Sequence, residues 1–110
     1  MSERELERVW KALSDKSRRR ILDLLRERPH TTGELAARFR TSRFAVMKHL
    51  AVLERAGLVL VERRGRQRWN YLNAAPIQQI YERWISPYQA RWAASLLALK
   101  RSVESKKGVR

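Results

Sequence analysis

The sequence predicts a mostly α-helical domain with one small β-hairpin. Three observations lead there. Apolar residues recur at helical spacing through the first half of the chain. Residues 58–73 change to a composition suited to strands, broken once around Gly65. Helical signals return after Asn73.

The elements follow in order. In ERELERVWKAL, residues 3–13, Leu6, Val9, Trp10 and Leu13 lie at i, i+3, i+4 and i+7, the stripe of an amphipathic helix. Asp15 is a candidate N-cap for a second helix. Its stripe is Ile21, Leu22, Leu24 and Leu25, and Pro29 ends it. Thr31 with Glu34 three residues on forms a capping box, so a short helix starts there and buries Leu35, Ala36 and Phe39. After Arg40–Thr41–Ser42, Ser42 caps a further helix over residues 42–56, which Gly57 stops in the left-handed conformation. Two helices so closely spaced predict a helix-turn-helix.

The stretch LVLVERRGRQRWNYLN, residues 58–73, predicts two strands around Gly65 with a basic tip. Helix resumes beyond Asn73, with Pro76 tolerated in the first turn. Ser86 and Pro87 repeat a helix start, with Gln89 closing a second capping box. Residues 74–103 are therefore two helices, or one kinked at Pro87. Residues 104–110 are expected to be a frayed basic tail after a domain spanning 1–103.

Composition narrows the partners. The chain has 110 residues and is 44% hydrophobic, enough for one core. It carries 25 Lys and Arg against 11 Asp and Glu, a net +14, so a polyanion is the expected partner. Nine of those cations and only two acids lie between Ala36 and Asn70, concentrating half the net charge in under a third of the chain. No cysteine is present, which excludes disulfides, thiolate metal sites and thiol redox sensing. No apolar run approaches a membrane span and MSERELERVW has no signal-peptide core, so a cytoplasmic protein is expected. There is no nucleophile elbow, no Gly-rich phosphate loop and no carboxylate pair with a histidine. Neither an enzyme nor a cofactor is expected.

Helices followed by a hairpin and further helix is the order of a winged helix-turn-helix. In such a domain the second helix of the pair enters the major groove of double-stranded DNA and the hairpin wing lies on the backbone or minor groove. With Val46, Leu50 and Leu53 packed inward, Ser42, Arg43, Phe44, Met47 and Lys48 face out as candidate groove contacts. Arg43 or Lys48 suits guanine O6/N7, and Phe44 suits a thymine methyl unless it folds back on the core. His49 is either a DNA contact or a structural residue. Arg63, Arg64, Arg66 and Arg68 at the wing suit phosphates.

The segments ALSDKSRRRILDLL, TTGELAARF, SRFAVMKHLAVLERAGLV and ERRGRQRWNYLN together resemble the ArsR/SmtB family of bacterial winged-helix repressors, from about Val9 to Leu99. IYERWISPYQARWAASLLAL resembles a subfamily found beside genes for SRPBCC-fold proteins that bind small hydrophobic molecules. The resemblance implies a homodimeric repressor with contacts from the first and last helices. The residues so implicated are Leu6, Val9, Trp10, Trp84, Tyr88, Trp92, Leu96 and Leu99. The aromatic stripe of Trp84, Tyr88 and Trp92 suits three roles: that interface, an intrachain core, or a pocket for a hydrophobic effector. Metal-sensing members of the family use cysteines or a His/Asp/Glu set in the last helix. Here residues 74–103 offer only Glu82, so no metal site is expected. A winged helix that binds RNA or protein is a further reading.

Overall fold

A computed structural model describes residues 1–108; the side chains of residues 88–90 and 107–108 lie outside the described set. The described chain falls into two compact units, dividing between Pro76 and Ile77.

In the first unit, helix α1 spans Glu3–Leu13 and starts from a capping box of Ser2 with Glu5. Helix α2, Lys16–Glu27, starts from Asp15, whose carboxylate accepts from the Arg18 backbone N–H at 3.0 Å. The capping box of Thr31 and Glu34 forms as the sequence predicts, at 3.1 and 3.0 Å, and opens α3. That helix is only Thr32–Ala36, one residue longer than a turn, and Phe39 lies half-buried beyond it under the Arg20 guanidinium. The link to the next helix therefore runs from Ala37 to Ser42, longer than the tripeptide expected. Ser42 caps α4, Arg43–Arg55, through the Ala45 backbone N–H. Gly57, at φ 76°, ends it in a left-handed turn, with Gly57 N–H donating to Glu54 and Leu58 N–H to Leu53.

The core comes from one stripe of each helix: Leu6, Val9 and Ala12 of α1, Ile21, Leu22, Leu24 and Leu25 of α2, Leu35 of α3, and Val46, Leu50 and Leu53 of α4, closed by Leu58 and Val59. The sequence placed Leu6 and Val9 on a dimer face. They are 5% and 1% exposed and belong to this intrachain core, because the α1 stripe packs on α2 and α4.

The sheet has three strands, not the two of a hairpin. Strands β2, Val59–Arg64, and β3, Gln67–Leu72, form the wing, turning at Gly65 with φ 62°. A two-residue strand β1, His30–Thr31, adds antiparallel to the far edge of β3, giving the order β1-β3-β2. Its register sets His30 opposite Asn70 and Thr31 opposite Trp69. Asn70 is buried and donates through Nδ2 to the His30 carbonyl and the Thr32 hydroxyl, tying β3 to β1 and α3.

Asn73 closes the base of the wing by donating to the Gly57 carbonyl at 2.8 Å, and its side-chain oxygen accepts from Ala75 N–H. Helix α5, Ala75–Trp84, starts there. A 3-10 turn over Ser86–Tyr88 separates it from α6, Gln89–Gly108, so Pro87 divides two helices. Ser86 falls inside that turn, and the capping role expected of Gln89 lies outside the described residues. The expected frayed tail is helical as far as Gly108; an i,i+4 pair of Lys100 and Glu104 at 3.8 Å supports the continuation. Residues 109–110 lie outside the described set. Among the described residues no helix is long and apolar enough to cross a membrane.

Candidate nucleic-acid interface

The burial of Val46, Leu50 and Leu53 decides which side of α4 meets solvent. Arg43, Phe44, Met47 and Lys48 all project outward from its first two turns. Phe44 is 66% exposed, so it does not fold back on the core. The Lys48 ammonium lies over its ring, 4.8 Å from the centroid, a cation–π contact that pre-arranges both side chains on one face.

His49 takes another direction. Its Nδ1 is 3.3 Å from Nη1 of Arg18 and 3.9 Å from Oδ2 of Asp15. This intradomain contact is the one the structural alternative for His49 expects. Asp15 sits beside this cluster: the Arg18 backbone N–H, helped by the nearby Arg18 guanidinium, holds its carboxyl below the usual carboxylate range against the opposing effect of desolvation.

The wing arginines fall into two pairs. Arg64 pairs with Glu62, donates to the Tyr71 hydroxyl at 2.7 Å and lies over the Trp69 ring. The Glu62 carboxylate also raises its pKa above the ordinary guanidinium value. Arg68 donates to Glu54 of α4 at 3.2 Å, tying wing to helix. Among the described residues, Arg63 and Arg66 have no such partner.

A cleft of about 360 Å³ opens between the start of α4 and the wing. Thr31, Thr32 and Gly33 form one wall, Arg43 and Met47 another, and Arg63, Arg66, Gln67 and Arg68 the third. Sequence reasoning missed Thr31, Thr32, Gly33 and Gln67. The capping box marked Thr31 as a helix start, but nothing local reveals the β1–β3 pairing that carries it to the wing.

Of the remaining residues expected at a dimer face, Trp10, Trp84, Trp92, Leu96 and Leu99 are exposed. The Tyr88 side chain lies outside the described residues.

A cation-lined helix-turn-helix with a wing defines a DNA-binding transcriptional regulator. Residues 13–62 match the family model described as a helix-turn-helix domain. The chain is 43% identical over 84 residues to the uncharacterized HTH-type transcriptional regulator YuzN of Bacillus subtilis, covering 70% of this chain and 91% of that one. It is 37% identical over 70 residues to the transcriptional repressor SdpR of Bacillus subtilis, covering 64% and 78%. The crystal structure of an ArsR family transcriptional regulator superposes with a TM-score of 0.72 at 30% identity, over 84% of this chain and 95% of that one. An ArsR-like transcriptional regulator from Rhodococcus sp. RHA1 gives 0.68 at 35% identity over 92% of each. The chain belongs to the ArsR family of winged helix-turn-helix transcriptional regulators.

Proposed function

We propose that this regulator is a cytoplasmic, homodimeric repressor that reads a near-palindromic operator with α4 and grips the flanking backbone with its wing. The observation that carries the reading is the outward face of Arg43, Phe44, Met47 and Lys48 beside a cleft lined by Arg63 and Arg66, whose side chains have no ion-pair partner among the described residues. Lys48 suits guanine acceptors and Phe44 a thymine methyl, with Ser42 and Met47 completing the reading face. Arg63 and Arg66 suit phosphates. The repressor named among its relatives supports the direction of regulation.

Homodimerisation places two copies of α4 about one helical turn apart, roughly 34 Å, in successive major grooves. The exposed run of Trp92, Leu96, Leu99 and Val103, spaced four, three and four apart, supports α6 as a self-association surface. Trp10 and Trp84 add exposed aromatic area elsewhere on the chain. A hydrophobic effector, if the repressor answers to one, would meet this aromatic stretch, and tryptophan quenching by apolar ligands tests for it.

Selection of bound fragments from random duplex DNA tests the reading. Enrichment of an inverted repeat with half-sites about ten base pairs apart supports it. A structured RNA that competes as well as the enriched duplex, or no enrichment at all, overturns it.

A further inference from the structure

The cleft between α4 and the wing holds more charge than the fold uses. Four guanidinium groups line it, from Arg43, Arg63, Arg66 and Arg68, and no carboxylate does. Glu54 answers Arg68. Among the described residues, nothing forms a hydrogen bond or ion pair with the guanidinium of Arg43, Arg63 or Arg66. Three exposed cations around one concavity raise its positive potential, which favours an external anion there.

Arg43 also leans sideways. A methyl group built on Gly33 would lie 3.9 Å from Nη1 of Arg43, so the guanidinium reaches back over the start of α3 toward the wing. The Phe44–Lys48 pair presents its own face to solvent. A helix about 10–12 Å across fills a major groove about 12 Å wide, so its flanks meet the sugar–phosphate rim while its leading face meets base edges. Arg43 stands on the flank.

We infer that the cleft seats one phosphodiester of the DNA backbone, and that Arg43 holds phosphate there instead of reading a base. The inference rests on the DNA reading above and assigns a position within it. The two non-bridging oxygens of a phosphodiester match the planar fork of Arg43. Arg63 and Arg66 close over the same group from the wing. Met47 lines the same cleft beside Arg43, so base reading then falls to Phe44 and Lys48.

Fluorescence anisotropy with the full chain tests this, using one duplex recovered by selection and one scrambled duplex over a range of salt. Arg43→Ala is expected to bind both about tenfold more weakly, with their affinity ratio unchanged within twofold. Its log–log salt slope should be shallower by about 0.9. Lys48→Ala should shrink the ratio instead. A neutral methylphosphonate linkage walked along the duplex should weaken the wild type at one position and leave Arg43→Ala indifferent there. Arg43→Lys, which keeps the charge and the helix start, controls for misfolding and should retain most of the salt slope. A change of fivefold or more in the ratio for both Arg43 variants, with the slope intact, overturns the inference and leaves the DNA reading standing. Wild type that binds neither duplex overturns both.

Discussion

The imidazole Nδ1 of His49 lies 3.3 Å from Nη1 of Arg18 and joins α4 to α2. A guanidinium can only donate, so this contact is a hydrogen bond when Nδ1 accepts. The same arginine donates from Nε to the Ala12 carbonyl and from Nη2 to the Lys11 carbonyl, both at 2.8 Å. One side chain thus satisfies the open end of α1 and sets the position of α4. Arg18→Ala is expected to lower the unfolding free energy by about 1–3 kcal/mol, and His49→Ala by about 1 kcal/mol. Urea denaturation of both and of the double variant checks this; the double should cost less than the sum.

Acid should weaken the first unit through its caps. The carboxyls of Asp15 and Glu34 both lie below their ordinary values, chiefly because backbone N–H groups of Arg18 and Thr31 donate to them. A depressed folded pKa contributes stability above the unfolded value and loses it as pH falls through the folded one. The loss should begin near pH 4 and deepen below it. Asp15→Asn keeps a good cap but removes the titration, so its unfolding midpoint should depend less on pH between about 5 and 3 than that of the wild type. Parallel curves for the two proteins would refute this.

Phe44 should matter for specificity and little for stability, because it is exposed and touches Lys48 instead of the core. Phe44→Ala is expected to leave the thermal midpoint within about 2 °C and to reduce discrimination at one base pair by about 1–3 kcal/mol. Calorimetric melting and competition against single-base operator variants check the two halves separately.

The Glu54–Arg68 pair bridges α4 and the wing, with both side chains partly exposed. Such a pair contributes about 0–1 kcal/mol to stability. Glu54→Gln frees the Arg68 guanidinium for a phosphate, so binding to random duplex DNA should tighten a few-fold while stability changes little. Unchanged affinity at low salt would show that Arg68 stays out of reach of the backbone.

If the proposed homodimer forms through α6, Leu96→Glu is expected to break it by placing a charge on that exposed apolar face. Sedimentation should shift to the monomer, and binding to a two-half-site duplex should fall to that of one half-site. A dimer that survives this change places the association surface elsewhere.

Much of this protein follows from local rules. Helical spacing marked the buried stripes of α2 and α4, and a single side chain reaching its own backbone made each cap visible at Asp15, Thr31 and Ser42. Gly57 and Gly65 marked the two places where the chain must turn through positive φ. The same periodicity turned Arg43, Phe44, Met47 and Lys48 outward before any contact was known, so the helix-turn-helix and its wing were legible from residue order alone.

What the tertiary structure decided were the partners. A two-residue strand has no period, so β1 exists only because β3 offers it an edge and Asn70 a buried amide. Leu6 and Val9 share a stripe with Trp10, and only packing against α2 and α4 sorts the buried from the exposed. His49 differs from Lys48 by one position, yet the approach of Arg18, distant in sequence, draws it inward. Arg63 and Arg66 are chemically identical to Arg64 and Arg68; the carboxylates of Glu62 and Glu54 separate them. Sequence fixes which face a side chain leaves from, because that depends on backbone geometry within a few residues. What meets it there depends on chain segments far away, and that only folding brings together.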